Sequence, residues 1–302
     1  MNNFLIKMII IFTFSFLISC SKKDDKILAF EAVQNNNLKE LSALFEKNID
    51  ANIKDEKEKS ILMYAIENSN PKIVLYLIKR GADVNYLQPY LLETKEVIYI
   101  NTPLSLAISC NNPEIVKILC ENGADLSKSF NSVEFNLKEL NAITYIVAKI
   151  LRENSDYFLI DYEDNPIIEY YNLILIFKYI FLVDEKNIAP QLKDYKKQFE
   201  MFNYTSEFLY YMIQNDIKGF KEYFKDEINN KYGGWRKDNS FYNGFIGAIL
   251  ADSNDIVQYI IEENVIDYDV IKAIYNELQK KQYDNIRNNT FYLLKNHIEK
   301  KY

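Results

Sequence analysis

A repeated spacing along the chain constrains its fold more than any other sequence feature. Asp50, Asp83 and Asp125 are separated by 33 and 42 residues. The same two intervals separate a set of alanines: Ala32, Ala65 and Ala107. A fixed period of about 20–50 residues indicates one supersecondary unit stacked on copies of itself. The spacing predicts a 33-residue unit, with nine residues inserted in one copy.

Each unit carries the start and stop signals of two helices. Thr102-Pro103 offers a capping hydroxyl followed by proline at the first helical position. Asn112-Pro113 repeats that signal, and one face of the helix that follows is apolar: Ile115, Val116, Leu119 and Cys120. Gly123 is predicted to end this second helix in the left-handed conformation.

Two segments of this unit resemble the ankyrin repeat: Thr102-Pro103-Leu104-Ser105-Leu106-Ala107 and Glu114-Ile115-Val116-Lys117-Ile118-Leu119. The resemblance implies an all-α helical solenoid that binds other proteins through its concave face and the finger loops between repeats, and that rarely catalyses a reaction. The family's usual histidine is Ser105 here, and Met63 one repeat earlier. We therefore expect altered hydrogen bonding between repeats.

The resemblance divides the greater part of the chain into three segments. Residues 27–130 are predicted to be ankyrin repeats, and 131–204 an irregular helical segment or degenerate repeats. Within the latter, Leu137–Leu151 and Ile167–Val183 have a helical pattern. Residues 205–302 are predicted to be degenerate repeats and a C-terminal helical cap. An apolar set there has the same internal spacing as Ala107 and the apolar face that follows it: Ala248, Ile256, Val257, Ile260 and Ile261.

The N-terminus has the pattern of an export signal. An apolar run from Met8 to Ile18 follows Lys7 and is shorter than the roughly 20 residues that span a bilayer. It ends in Leu17-Ile18-Ser19-Cys20, which resembles the bacterial lipobox. That resemblance implies a signal peptide over residues 1–19, lipidation of Cys20, a spacer to residue 26, and a lipid-anchored protein of the cell envelope.

Composition argues against several other functions. The net charge is −7 and no segment is strongly basic, so we expect no nucleic acid partner. No cluster of metal ligands or reactive groups is apparent, so we predict no catalytic residues, no metal and no cofactor. The only histidine, His297, is expected at the surface, and Cys110 and Cys120 are expected to be free thiols.

The insertion between Asn85 and Thr102 is unusually apolar for a loop. Concentrated apolar surface often marks a binding site, and aromatic side chains are favoured anchors. The predicted partner-binding residues are Tyr86, Tyr90, Leu91, Val97 and Tyr99, with Trp235 in a second long finger. The alternative is that the insertion folds back and packs as private core.

The sequence thus favours a membrane-tethered binding protein. A specific form of it is an immunity or inhibitor protein that neutralises a toxic effector, which the sequence does not separate from a scaffold. Two less favoured alternatives are an envelope enzyme and a structural protein that binds the cell wall.

Overall fold

The computed structural model describes residues 24–132, 137–153, 166–183, 211, 215–223, 239–280, 283–284 and 287–300. Helices hold 60% of the described residues. Their bounds are α1 Asp25–Gln34, α2 Leu38–Phe45, α3 Ile61–Glu67, α4 Pro71–Lys79, α5 Pro103–Ser109, α6 Pro113–Glu121, α7 Ala142–Glu153, α8 Pro166–Val183, α9 Ile217–Tyr223, α10 Asn239–Leu250, α11 Asn254–Glu262, α12 Tyr268–Leu278 and α13 Asn289–Glu299.

The sequence predicted an all-α fold. Two small antiparallel sheets interrupt the helices, so the described part of the chain is mostly helical instead. One sheet pairs β1, Gln88–Leu91, with β2, Val97–Asn101; the other pairs β3, Phe130–Ser132, with β4, Leu137–Leu140. The helix predicted over Leu137–Leu151 therefore begins only at Ala142. Residues 137–140, where that helix was predicted to start, form β4 because they pair with β3. Helical periodicity does not encode such pairing between separate segments.

The helix starts follow the sequence signals. The Thr102 hydroxyl accepts the amide of Ser105 at 2.9 Å, and the Ser105 hydroxyl accepts the amide of Thr102 at 2.8 Å, which is a reciprocal capping box. The Asn112 side chain accepts the amide of Ile115 at 3.1 Å. Gly123 has φ +86° just after α6, as predicted.

The first eight helices form four pairs that contact one another in series. Inner helices α1, α3, α5 and α7 contact in that order, and outer helices α4, α6 and α8 do the same. The repeated alanines of α1, α3 and α5 are fully buried, as expected where helices approach closely: Ala32, Ala65 and Ala107. The fourth pair, α7 and α8, shows that the middle of the chain continues this packing.

Left-handed backbone positions mark the same repeat in the C-terminal part. Asn111, in the turn between α5 and α6, has φ 52°, and Asp252, its counterpart between α10 and α11, has φ 61°. Gly123 after α6 and Asn264 after α11 are matched in the same way, with φ 86° and 52°. The side chains of Ile256, Val257 and Ile260 on α11 are fully buried. The apolar echo in this part of the sequence thus corresponds to a helix pair of the same construction.

Candidate protein-binding surface

Three connections on one side of the repeats lie next to one another, and we call them the finger row. The first is loop 1, residues 54–60, closed by a bridge between Lys54 and Ser60. The second is hairpin A, formed by β1 and β2, and the third is hairpin B, formed by β3 and β4. Strands β2 and β3 are in contact, so the two hairpins are neighbours.

Asp55 organises loop 1. Its carboxylate accepts the backbone amides of Lys57 at 2.9 Å and Lys59 at 2.8 Å, and the Tyr64 hydroxyl at 2.8 Å. Burial alone would raise the pKa of Asp55, but these hydrogen bonds outweigh it and the pKa is lowered. The hydrogen bond to Asp55, together with burial, raises the pKa of Tyr64 to about 12. The neutral phenol and the carboxylate therefore hold the loop from physiological to alkaline pH.

Hairpin A presents an apolar face to solvent. Cross-strand partners share a face of a sheet, and here Leu91 faces Val97 while Pro89 faces Tyr99. Leu91 is 66% exposed, Val97 53% and Tyr99 47%. We call these three residues the apolar face; Tyr90, on the opposite face, is 52% exposed. This exposure favours a binding surface over the private core that the sequence left open.

The base of hairpin A is tied to loop 1. The Tyr86 hydroxyl donates to the backbone oxygen of Glu58 at 2.7 Å, and the Gln88 amide donates to that of Lys57 at 3.2 Å. The Lys54 ammonium lies 4.3 Å from the centre of the Tyr86 ring. Burial, with the Glu58 carboxylate nearby, raises the pKa of Tyr86 to about 12. Tyr86 is half-buried, and its contacts join the base of hairpin A to loop 1.

Asn131 ties hairpin A to hairpin B. Its Nδ2 donates to the backbone oxygen of Tyr99 at 3.2 Å, and its Oδ1 accepts the backbone amide of Glu139 at 3.3 Å. One side chain thus links β2 to β4, although β1–β2 and β3–β4 remain separate sheets. The bonds that Tyr86, Gln88 and Asn131 donate between fingers share one pattern. Each runs from a side chain of one finger to a backbone carbonyl of the preceding finger. The row is preorganised, which lowers the entropy lost on binding.

A groove of about 600 Å³ lies between the two hairpins. Its wall on hairpin A includes Val97 and Tyr99 of the apolar face, and its wall on hairpin B includes Phe130 and Asn131. Charged residues from both hairpins line it as well: Glu96, Lys138 and Glu139.

Some charged side chains of the described surface form ion pairs and others do not, and those of the two hairpins belong to the second group. Ion pairs join Lys47 to Asp25 at 2.7 Å, and Lys117 to Glu121 at 3.9 Å. Five hairpin residues form no ion pair within the described part of the chain: Glu93, Lys95, Glu96, Lys138 and Glu139. An exposed apolar patch with a rim of charges is the usual layout of a protein interface.

Two asparagines hold successive repeats together beneath the finger row. The Asn52 amide donates to the oxygen of Gly81 at 3.1 Å, and its Oδ1 accepts the amide of Asp83 at 2.8 Å. Asn85, its counterpart in the next repeat, makes the equivalent bonds at 2.9 and 2.7 Å. These bonds carry the link between repeats here, while Ser105 is occupied within its own capping box.

The residues predicted to bind a partner differ in their exposure to solvent. It exposes Tyr90, Leu91, Val97 and Tyr99 together on hairpin A, and half-buries Tyr86. Cys20 and Trp235 lie outside the described residues. Sequence reasoning missed Gln88, Asn131 and Glu139. The β-branched and aromatic run from Val97 to Ile100 could have indicated a strand, but no local signal marks Asn131.

Metal ligands, thiols and a histidine are among the reactive groups of the residues described. No group of three or more His, Cys, Asp or Glu side chains there could hold a metal ion. Burial raises the pKa of the free thiols Cys110 and Cys120, that of Cys120 to about 12, so neither forms a reactive thiolate near neutral pH. His297 is half-buried rather than fully solvated, with its ring 5.9 Å from that of Tyr268.

No helix in the described ranges is both long and apolar enough to cross a bilayer.

Helix pairs that contact in series, joined by a row of fingers, define a repeat protein. A family model described as ankyrin repeats in three copies matches residues 5–88, and a model of the single ankyrin repeat matches residues 99–128. The N-terminal part of the chain therefore consists of ankyrin repeats, which are in general protein–protein interaction modules. No curated protein matches the chain. The first match begins within the predicted signal peptide, which lies outside the described residues and stays a prediction.

Proposed function

We propose that this chain is a membrane-tethered ankyrin-repeat lipoprotein that binds a protein partner in the bacterial cell envelope. The exposed apolar face of hairpin A carries this proposal. A hairpin that exposes three large apolar side chains to water is stabilised when a partner covers them. The hydrogen bonds that hold the row in place keep this surface formed before the partner arrives.

The proposal has two further parts that rest on sequence alone. Residues 1–19 act as the signal peptide, and Cys20 carries the lipid that holds the protein at the membrane. The repeats of residues 27–130 and the degenerate repeats after them form one helical solenoid, which positions the finger row. The repeat family favours binding over catalysis, because its members are typically interaction modules.

Photo-crosslinking in the producing cells tests the proposal directly. A photoreactive phenylalanine analogue replaces Leu91 of the apolar face in one variant and Tyr292 in another. Tyr292 is a matched control because it is 54% exposed but lies on α13. We expect a covalent adduct with a second protein from position 91 and none from position 292. No adduct from position 91, or the same adduct from both positions, would contradict binding through the apolar face of hairpin A.

A further inference from the structure

We infer that the groove between hairpins A and B seats an extended segment of the partner, with apolar side chains at alternate positions and a net positive charge. This inference rests on the proposed function and names the chemistry of its partner. It follows from three properties of the groove: its shape, the edge of β2 that faces it and its charges.

The shape of the groove suits an extended chain. Its volume of about 600 Å³ lies within the range of roughly 300–1,000 Å³ typical of ligand sites. Val97 and Tyr99 stand two residues apart on the same face of β2. An extended segment presents its own side chains with the same period of two, so every second residue of the partner can contact this wall.

The edge of β2 that faces hairpin B directs the backbone groups of Val97 towards such a segment, whereas the Tyr99 carbonyl is already bonded to Asn131. The Tyr99 carbonyl points towards hairpin B, since Asn131 donates to it. Alternate residues of a strand direct their backbone groups to the same edge, so those of Val97 also face the groove. The opposite edge of hairpin A is less suitable: Pro89 in β1 has no amide hydrogen, and Gln88 is bound to loop 1.

The charges around the groove favour a basic segment. Three carboxylates on the two hairpins, those of Glu93, Glu96 and Glu139, have no ion-pair partner within the described part of the chain, against two ammonium groups, those of Lys95 and Lys138. The whole chain carries a net charge of −7. An acidic segment would meet repulsion from both the groove and the molecule, whereas a basic one is attracted and steered to the site.

A random twelve-residue peptide library displayed on phage, panned against the full chain, tests this inference. We expect the enriched peptides to carry apolar residues at alternate positions and more Lys and Arg than Asp and Glu. The double variant Glu96→Lys with Glu139→Lys should weaken binding of an enriched, fluorescently labelled peptide at least tenfold. Val97→Thr, which preserves shape, should weaken it several-fold.

Two matched controls and a folding check accompany these variants. Glu263→Lys changes an exposed carboxylate directly after α11, and Tyr292→Ala removes an exposed aromatic ring on α13. Both should leave peptide affinity within twofold of the parent. Circular dichroism should give all variants the same melting curve, because the changed side chains are exposed.

Other outcomes would overturn the inference. These are the absence of any enrichment, acidic peptides, apolar residues at helical spacing, or an affinity that the groove variants leave unchanged. The photo-crosslink from position 91 separates this failure from that of the proposed function. If a partner is crosslinked but the groove variants do not change peptide affinity, the binding function stands and the groove is not the binding site.

Discussion

Ala107 lies fully buried on α5, an inner helix that contacts α3 on one side and α7 on the other. We predict that Ala107→Leu overpacks this contact and lowers the free energy of unfolding by roughly 1–3 kcal/mol. Ser109→Leu is the control, because Ser109 is exposed on the same helix and should change stability by less than about 0.5 kcal/mol. Urea unfolding followed by circular dichroism measures both. Equal midpoints for the two variants would show that the helices do not pack this tightly.

The hydroxyl of Tyr86 links hairpin A to loop 1 within the finger row. Tyr86→Phe removes the hydrogen bond to Glu58, and we predict a loss of about 0.5–1.5 kcal/mol at neutral pH. The pKa of Tyr86 is raised from 10 to about 12, so the folded state holds this proton more tightly than the unfolded state does. The stability it contributes is complete below pH 10 and is lost as the pH rises through 12.

Thermal melts between pH 7 and 12 check this prediction. The parent should lose part of its advantage over Tyr86→Phe above pH 10, so that the two melting temperatures converge. Tyr292→Phe, altered at an exposed ring, should follow the parent throughout. A constant gap between the parent and Tyr86→Phe up to pH 12 would contradict the assigned hydrogen bond.

At the scale of the element, hairpin A can be tested as a unit. We predict that Tyr90→Ala combined with Tyr99→Ala abolishes partner capture and leaves the melting temperature within a few degrees of the parent, because both rings are about half exposed. Aromatic anchors of this kind are typically worth about 2 kcal/mol or more at an interface. Affinity capture from envelope extract and a thermal melt of the same preparation measure the two effects. A large fall in melting temperature with capture intact would assign these rings to the core.

The elements differ in how far the sequence predicts them. Helices α5 and α6 follow from local signals, since Thr102, Asn112 and Gly123 stand at their ends. The hairpins depend on pairing between separate segments, and the turn of hairpin A places Lys95 at φ 66° where glycine or asparagine would have signalled it. Asn131 acts through a tertiary contact with Tyr99, so its role becomes visible only once the strands are placed.

At the scale of the whole molecule, the spacing of the turns is kept in a part of the chain where the ankyrin sequence pattern is no longer matched. The ankyrin models match residues 5–88 and 99–128, whereas the pair α10 and α11 falls outside both matches. This pair keeps the left-handed turn positions of the earlier repeats, with Asp252 and Asn264 in place of Asn111 and Gly123. Asp and Asn tolerate this conformation better than most residues, so the turn geometry survives the substitutions. The apolar spacing therefore predicted a helix pair with matching turns, and its assignment as a degenerate repeat stays a prediction.

The proposed attachment of the molecule to a membrane gives a further prediction. Cys20→Ser removes the thiol that the lipobox pattern requires, so we expect it to abolish labelling by a radioactive fatty acid and to leave the precursor uncleaved. Ser21→Ala, next to the modified position, should retain both labelling and cleavage. Gel autoradiography after metabolic labelling provides the readout. Persistent labelling of Cys20→Ser would rule out this residue as the anchor.

The first helix begins at Asp25, five residues after Cys20, and under the proposed lipidation of Cys20 this short spacer would limit where the protein can act. A fully extended chain advances at most about 3.6 Å per residue, so the spacer reaches no more than roughly 18 Å. A copy anchored at Cys20 would hold its repeats beside the lipid headgroups. Partners attached to the same bilayer would then meet it by diffusion in a plane, at an effective concentration far above their bulk value. Dissociation constants measured in free solution would therefore understate how fully the surface is occupied at the membrane.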